Sequence, residues 1–264
     1  MGTARLPSLF VGHGNPMNTL EDNRFTATWR GLGPSLPRPK AILAISAHWY
    51  VPVLAVTAME TPQTIHDFGG FPQALFDFQY PASGDPALAA RVQELLRPLD
   101  VASDHSWGLD HGTWSVLAHL FPRADIPVVQ LSIDRSQPHE FHYRLGQQLA
   151  PLRDEGVLIF GSGNVVHNLM VIRWDEPDNP HEWASRFEQQ VKDKLMLGDH
   201  AALIDYLHLD AEARRSVPTP EHYLPLLPVI GALQNDEPVS FPVEGITMGS
   251  LSMLSVMAGN MSGR

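Results

Sequence analysis

Five short apolar runs, bounded by Gly or Pro, constrain the fold of this 264-residue chain more than any other feature. They are rich in Val and Ile, as buried strands are. The runs cover residues 8–13, 41–48, 53–59, 126–134 and 157–163. Amphipathic segments with helical spacing lie between them, so strand and helix alternate along the chain. We therefore predict an α/β fold with a central sheet, mostly parallel or mixed, and with helices on both faces.

The segments between the runs carry the end signals of helices. Residues 86–99 begin with Asp85 as a candidate N-cap and Pro86 at the first helical position, and their leucines share one face. Further helices are predicted over residues 112–121, 138–154, 181–198, 199–209 and 220–234. Residues 238–243 and 250–256 are predicted to be late strands that pair at the edge of the sheet. Because no linker divides the chain, we expect a single domain.

The composition excludes several classes of function. The chain has no cysteine, which rules out disulfides, thiolate nucleophiles and thiolate metal ligands. Any metal must then be held by nitrogen and oxygen. The formal net charge of −11 argues against nucleic acid and anionic membranes as partners. Because the first residues lack a signal-peptide core and no apolar stretch approaches the ~20 residues that span a bilayer, we expect a cytoplasmic protein.

Histidines lie at or just past the carboxyl ends of three of the predicted strands. They are His13, His48 and His167. Because the carboxyl ends of parallel strands share one edge, where ligands bind, we expect these side chains to converge. Glycines flank His13 and small residues precede His48, which leaves space for a bound group. We predict that this pair binds one metal ion, although each histidine alone would more often be a hydrogen-bonded structural residue.

Other candidate positions leave alternatives open. Glu221 and His222 lie together in the first turn of a predicted helix, and either one could supply a third metal ligand. If neither binds a metal, Glu221 would only interact favourably with the helix dipole. His167 is either a ligand or a neutral base beside the metal. His111 follows Asp110 at a helix start, where it suits proton transfer, while Asp110 could equally be a simple N-cap.

The long loop over residues 61–84 is rich in aromatic side chains. Loops of this length inside a compact domain are often functional. His66 lies in this loop, and it would either line a substrate pocket or remain a surface residue.

Several of these segments resemble a known family when they are taken together and in order. The segments are residues 12–17 (GHGNPM), 46–49 (SAHW), 64–71 (TIHDFGGF), 110–112 (DHG), 163–168 (GNVVHN) and 218–223 (PTPEHY). They are similar to the DODA-type members of the class III extradiol ring-cleavage dioxygenases, over about residues 5–258. The resemblance implies a single catalytic domain over residues 1–264 that inserts O2 into a catechol ring. Cleavage of the DOPA 4,5 type would give a ring-opened semialdehyde.

The resemblance also implies roles for individual residues. It places metal ligands at His13, His48 and His222. It places His167 beside the metal as acid/base or fourth ligand, and His111 as a second proton-transfer residue. The implied cofactor is one divalent metal, Fe(II) for dioxygenase turnover, with Zn(II) as an alternative bound ion. The implied partners are a small catechol and O2.

One position departs from the better-studied relatives that cleave protocatechuate. Those proteins use two histidines and a glutamate, whereas this chain offers His222 with Glu221 beside it. Two other hypotheses therefore stay open. One is a zinc-dependent hydrolase that uses the same histidines to activate water. The other is a non-enzymatic metal-binding member of the same fold.

Overall fold

The computed structural model describes residues 5–234 and 237–260. Residues 1–4, which belong to the segment inspected for a signal peptide, lie outside the described residues. The strands of the described part are β1 (Ser8–Gly12), β2 (Ala41–Ser46), β3 (Tyr50–Val51), β4 (Ala55–Thr57), β5 (Ala102–Asp104), β6 (Val128–Gln130), β7 (Ile133–Asp134), β8 (Val157–Gly163), β9 (Val239–Val243), β10 (Ile246–Thr247), β11 (Leu251–Ser252) and β12 (Ser255–Ala258).

Helices alternate with the strands, as predicted. The α-helices are α1 (Arg24–Ser35), α2 (Gln73–Phe76), α3 (Pro86–Leu95), α4 (His111–Leu120), α5 (His139–Leu149), α6 (Pro151–Asp154), α7 (Glu182–Leu197), α8 (His200–Ile204), α9 (Ala213–Ser216) and α10 (Leu226–Gly231). Short 3₁₀ helices cover Pro16–Thr19, Leu169–Val171, Tyr206–His208 and Pro220–His222. Within the described residues, no helix has both the length and the apolar character needed to cross a bilayer.

One six-stranded sheet with the order β6–β2–β8–β1–β12–β9 forms the centre. The first four strands are parallel neighbours, and β12 and β9 add antiparallel pairings at one side. The sheet is therefore mixed, and the α/β prediction is confirmed. The predicted strand 238–243 corresponds to β9, whereas the predicted strand 250–256 divides into β11 and the start of β12. β12 pairs with β9, which lies at the edge of the sheet as expected.

Helices cover both faces of this sheet. All six residues of β2 are buried, which is expected of a strand between two helical layers. Ile42 and Ala44 belong to the apolar cluster that contains side chains of α1 and α4. Leu43 and Ile45 belong to the opposite cluster, with side chains of α5, α7 and α10. The strict alternation of the two clusters along β2 follows from the two-residue period of a strand.

The structure differs from the sequence prediction at several element ends. The run 53–59 forms only β4, which pairs with β5 outside the main sheet. The predicted helix 220–234 divides into a 3₁₀ turn and α10 at Pro225, which has no N–H to donate and stands at the N-cap of α10. Helix α1 was not predicted, since its glycines and Pro34 weaken the helical pattern. Its N-terminus is fixed by a capping box in which Asn23 and Thr26 bond reciprocally.

Candidate metal centre and active-site cavity

Loops from three neighbouring strands meet at the carboxyl edge of the sheet. His13 directly follows β1, and His48 lies two residues beyond β2. Strand β8 lies between β1 and β2, and His167 follows it. His222 is the last residue of a 3₁₀ turn. Its carbonyl oxygen accepts a hydrogen bond of 2.8 Å from the Asn164 amide. The topology thus brings four histidines from distant parts of the chain to one edge.

The structure places His13, His48 and His222 in one tight group. One candidate ligand atom from each of them lies within 4.8 Å of the others. The Nε2 atoms of His13 and His48 are 3.3 Å apart. His13 and His222 are 2% and 7% exposed, so water reaches them poorly. This is the set that the resemblance implied as metal ligands.

Hydrogen bonds at the other ring nitrogen orient these imidazoles. Ser162 Oγ donates to the Gly112 carbonyl, so it accepts from His13 Nδ1–H at 2.9 Å. His48 Nδ1 lies 3.2 Å from the Asp67 carboxylate. In both rings Nδ1 is the donor, which leaves the Nε2 lone pair free to bind a metal.

The donor set fits a divalent metal. His222 Nε2 is buried and has no hydrogen-bond partner within the described residues, an arrangement that costs about 1–3 kcal/mol when nothing binds there. The two Nε2 lone pairs of His13 and His48 face each other at 3.3 Å and repel unless a cation lies between them. Two nitrogens at ~2.1 Å from one ion are themselves about 3.0–3.4 Å apart. Neutral imidazoles are ligands for both Zn(II) and Fe(II).

Glu221 does not belong to this group of candidate ligand atoms. Its Oε1 accepts a hydrogen bond of 2.7 Å from Thr219 and lies 3.4 Å from His222 Nδ1. The carboxylate therefore orients the neighbouring imidazole from outside.

Gly163, the last residue of β8, allows the His222 segment to approach the sheet. A Cβ atom at this position would lie 2.1 Å from the His222 carbonyl oxygen. Any larger residue would push that segment away, so the glycine is required by close packing. The glycine at the end of β8 thus lets the segment that carries the third histidine pack against the sheet.

Asp67 contacts two histidines of the site, and it was not among the site residues predicted from the sequence. One carboxylate oxygen accepts from His111 Nδ1 and from the His111 amide, both at 2.9 Å. The other lies 3.2 Å from His48 Nδ1. Burial would raise the pKa of Asp67, but the hydrogen bonds from His111 and His48 outweigh it and hold that pKa well below its usual range. The carboxylate is therefore ionised and acts as a common anchor for both rings.

Burial and mutual repulsion keep most of these histidines neutral. Burial, together with neighbouring imidazoles, lowers the pKa of His13 and of His222 well below its ordinary value. Burial and the nearby His48 and His111 lower the pKa of His167 to about 4. For His48, burial also lowers the pKa, but the hydrogen bond and charge of the nearby carboxylates raise it overall. Neutral imidazoles are the form that can bind a metal or accept a proton.

The remaining predicted site residues lie at different distances from this group. His167 stacks on His222 with ring centroids 3.5 Å apart and planes 5° from parallel. His111, the first residue of α4, lies with its ring centroid 3.9 Å from that of His48. His66 does not line the cavity described below; its Nε2 donates to the Phe78 carbonyl at 2.9 Å. This position does not support direct contact of His66 with a substrate.

A cavity of about 320 Å³ opens beside the histidines. His13, His48, His111, His167 and His222 form its polar wall. Phe68, Phe71 and Trp174, with aliphatic side chains, form the apolar walls. A flat aromatic ring fits such a site, with its polar substituents toward the imidazoles.

The chain is similar to several known proteins. The model of a family described as the catalytic LigB subunit of aromatic ring-opening dioxygenase matches residues 23–257. A protein of Escherichia coli (strain K12) named 4,5-DOPA dioxygenase extradiol is 55% identical, over 98% of this chain and 97% of that protein. A protein of the same name from Beta vulgaris is 40% identical, over 85% and 86%.

A solved structure shows the same fold. The crystal structure of an uncharacterised protein from Escherichia coli K12 superposes with a TM-score of 0.85 at 50% identity, covering 97% of this chain and all of that one. The family match extends over most of the chain, and the relatives align over nearly their whole lengths. The chain therefore belongs to the family of catalytic LigB subunits of aromatic ring-opening dioxygenases.

Proposed function

We propose that residues 1–264 form a single catalytic domain that opens a catechol ring by extradiol cleavage, with DOPA or a similar catechol amino acid as substrate. One observation carries the proposal. Three imidazoles, two buried and one half-buried, present Nε2 atoms at the wall of an aromatic-lined cavity, in a chain 55% identical to a protein named for this reaction. His13, His48 and His222 would hold a divalent metal, and Fe(II) would serve turnover.

The metal, when bound, supplies open coordination positions for the catechol oxygens and O2 and the redox chemistry that Zn(II) lacks. The protein contributes orientation and proton transfer. His167 is neutral at physiological pH, because burial and neighbouring imidazoles lower its pKa to about 4, and it takes a proton from the catechol hydroxyl.

His111 is proposed as the acid. Its Nδ1–H donates to Asp67, so Nε2 is the atom that receives and returns a proton. The ionised Asp67 stabilises the ring once Nε2 has taken up a proton, while burial and the nearby His48 lower the pKa of His111 overall and favour release of that proton. The overall reaction breaks one ring C–C bond beside a hydroxyl, and both oxygen atoms of O2 enter the ring-opened semialdehyde.

Oxygen uptake tests the proposed reaction. Anaerobically prepared protein loaded with Fe(II) should consume one O2 per ring with DOPA and give the absorbance of a semialdehyde or its cyclised product. Zn(II)-loaded protein serves as the matched control and should be inactive. Absence of O2 uptake with every catechol tried, in protein shown to contain Fe(II), would contradict the proposal; ester hydrolysis without O2 would favour a hydrolase.

Metal analysis tests the ligand set. His222→Gln should lose most of the metal, whereas Glu221→Gln should keep it, because only the histidine lies in the group of candidate ligand atoms. The opposite result would place the metal on two histidines and a glutamate.

A further inference from the structure

A second cavity, of about 680 Å³, adjoins the cavity at the histidines. Asn15, Phe71 and Trp174 line both of them and therefore stand at their junction. A substituent of a ring bound at the histidines can reach the second cavity through this junction. The second cavity is thus the space that a substituent can enter.

The two cavities differ in charge. Within the described residues, no Lys, Arg, Asp or Glu lines the cavity at the histidines. The second cavity is lined by Arg24, Glu21 and Asp178, with the amides of asparagines between them. A catechol amino acid carries a carboxylate and an ammonium group, and burying either one without a partner is costly. Only the second cavity offers charges of both signs.

Arg24 is an exposed residue that has no ionic partner within the described residues. It is the first residue of α1, directly after the Asn23 capping box, and its guanidinium lies 4.6 Å from the centre of the Phe25 ring. No carboxylate of the described residues forms an ion pair with Arg24, and no basic group forms one with Glu21 or Asp178. Arg30, on the same helix, is by contrast paired with Asp22.

We propose that the second cavity binds the charged end of the substrate, with Arg24 pairing with its carboxylate and Glu21 and Asp178 facing its ammonium group. The proposal rests on the proposed function, since it assumes that the ring lies at the histidines. An arginine is suited to this task because its planar guanidinium matches a carboxylate with two parallel hydrogen bonds.

Four catechols separate the two charges. DOPA carries both, 3-(3,4-dihydroxyphenyl)propionate only the carboxylate, dopamine only the ammonium group, and 4-methylcatechol neither. Arg24→Gln should weaken the binding of the two carboxylates about tenfold, the typical effect of losing a hydrogen bond to a charged group. Dopamine and 4-methylcatechol should bind as before. The control Arg30→Gln, on the same helix but outside the cavity, should change none of them.

Glu21→Gln with Asp178→Asn should give the complementary pattern, weakening the two amines and not the two acids. Binding is measured by anaerobic calorimetry on the Fe(II)-loaded protein, so that no turnover is needed. KM and kcat are then measured with O2, and Arg24→Gln should raise KM with little change in kcat.

The outcomes distinguish the two proposals. If Arg24→Gln weakens all four catechols equally, or none of them, Arg24 is not the carboxylate partner and the subsite is wrong. If the selective pattern appears in binding while the wild-type protein consumes no O2, the subsite stands and the proposed reaction fails.

Discussion

Replacing Asp67 by Asn tests how the site is held together. The side chain is nearly isosteric, so the change removes charge and one acceptor position while the loop keeps its packing. The carboxylate accepts three hydrogen bonds, two on one oxygen and one on the other. An asparagine can keep the pair from His111 on its single oxygen, and it then turns an NH₂ group toward His48 Nδ1.

That NH₂ group forces a change at His48. Two donors cannot share a hydrogen bond, so either the contact is lost or His48 moves its proton to Nε2, the atom that must bind the metal. Loss of a carboxylate that hydrogen-bonds a metal-binding histidine typically lowers metal affinity or activity 10–100-fold, which corresponds to about 1.4–2.8 kcal/mol. We expect a loss of metal affinity in this range, with a smaller change in the free energy of unfolding of the metal-free protein.

Competition with a chelator of known affinity measures the metal dissociation constant, and thermal denaturation of the metal-free protein measures the folding effect. Asp77→Asn, an exposed change in the same long loop, is the matched control and should affect neither quantity. Wild-type metal affinity in Asp67→Asn would refute the claim that this carboxylate sets the tautomer of a metal ligand.

Further predictions concern packing, buried charge and pH. Gly163→Ala should lower metal affinity and lower the free energy of unfolding by about 1–3 kcal/mol through overpacking, because its Cβ would meet a backbone oxygen at 2.1 Å. Gly31→Ala, which has open space around the added Cβ, is the control: it should stabilise the protein in the thermal assay and should not lower its metal affinity. Arg153→Met should cost about 1–3 kcal/mol in urea unfolding for each buried acceptor left without a donor, because the guanidinium donates to the Leu6 and Ala232 carbonyls and pairs with the half-buried Glu237. Arg144→Ala, in an exposed pair, should cost less than about 0.5 kcal/mol. Burial raises the pKa of Glu188, so its protonated form stabilises the fold below about pH 4.5, and this contribution is lost as pH rises. Glu188→Gln should thus raise the melting temperature at neutral pH, with a gain that shrinks on acidification; an unchanged difference across pH would contradict this.

The sequence predicted the parts of the site that regular structure positions. His13 and His48 follow strands whose burial and period are readable from the chain, and parallel pairing brings the ends of such strands to one edge. Asp67 could not be found in this way, because it lies in a loop without periodicity and contacts residues distant in sequence. The available signal was chemical: metal-binding histidines usually donate their second nitrogen to a carboxylate or carbonyl, and Asp67 is an acidic residue within the aromatic loop.

The choice between Glu221 and His222 shows why spacing alone was insufficient. On a regular α-helix the side chains of Glu221 and His222 would point about 100° apart, and the rotation of the helix about its axis would decide which of them faces the site. Here the segment is a 3₁₀ turn rather than an α-helix, and its rotation is set by backbone contacts. The His222 carbonyl accepts from the Asn164 amide and lies against Gly163, which turns the imidazole toward the sheet edge and leaves Glu221 to accept from Thr219. The third candidate ligand is thus selected by the glycine of a strand some sixty residues earlier, through a tertiary contact that no local pattern records.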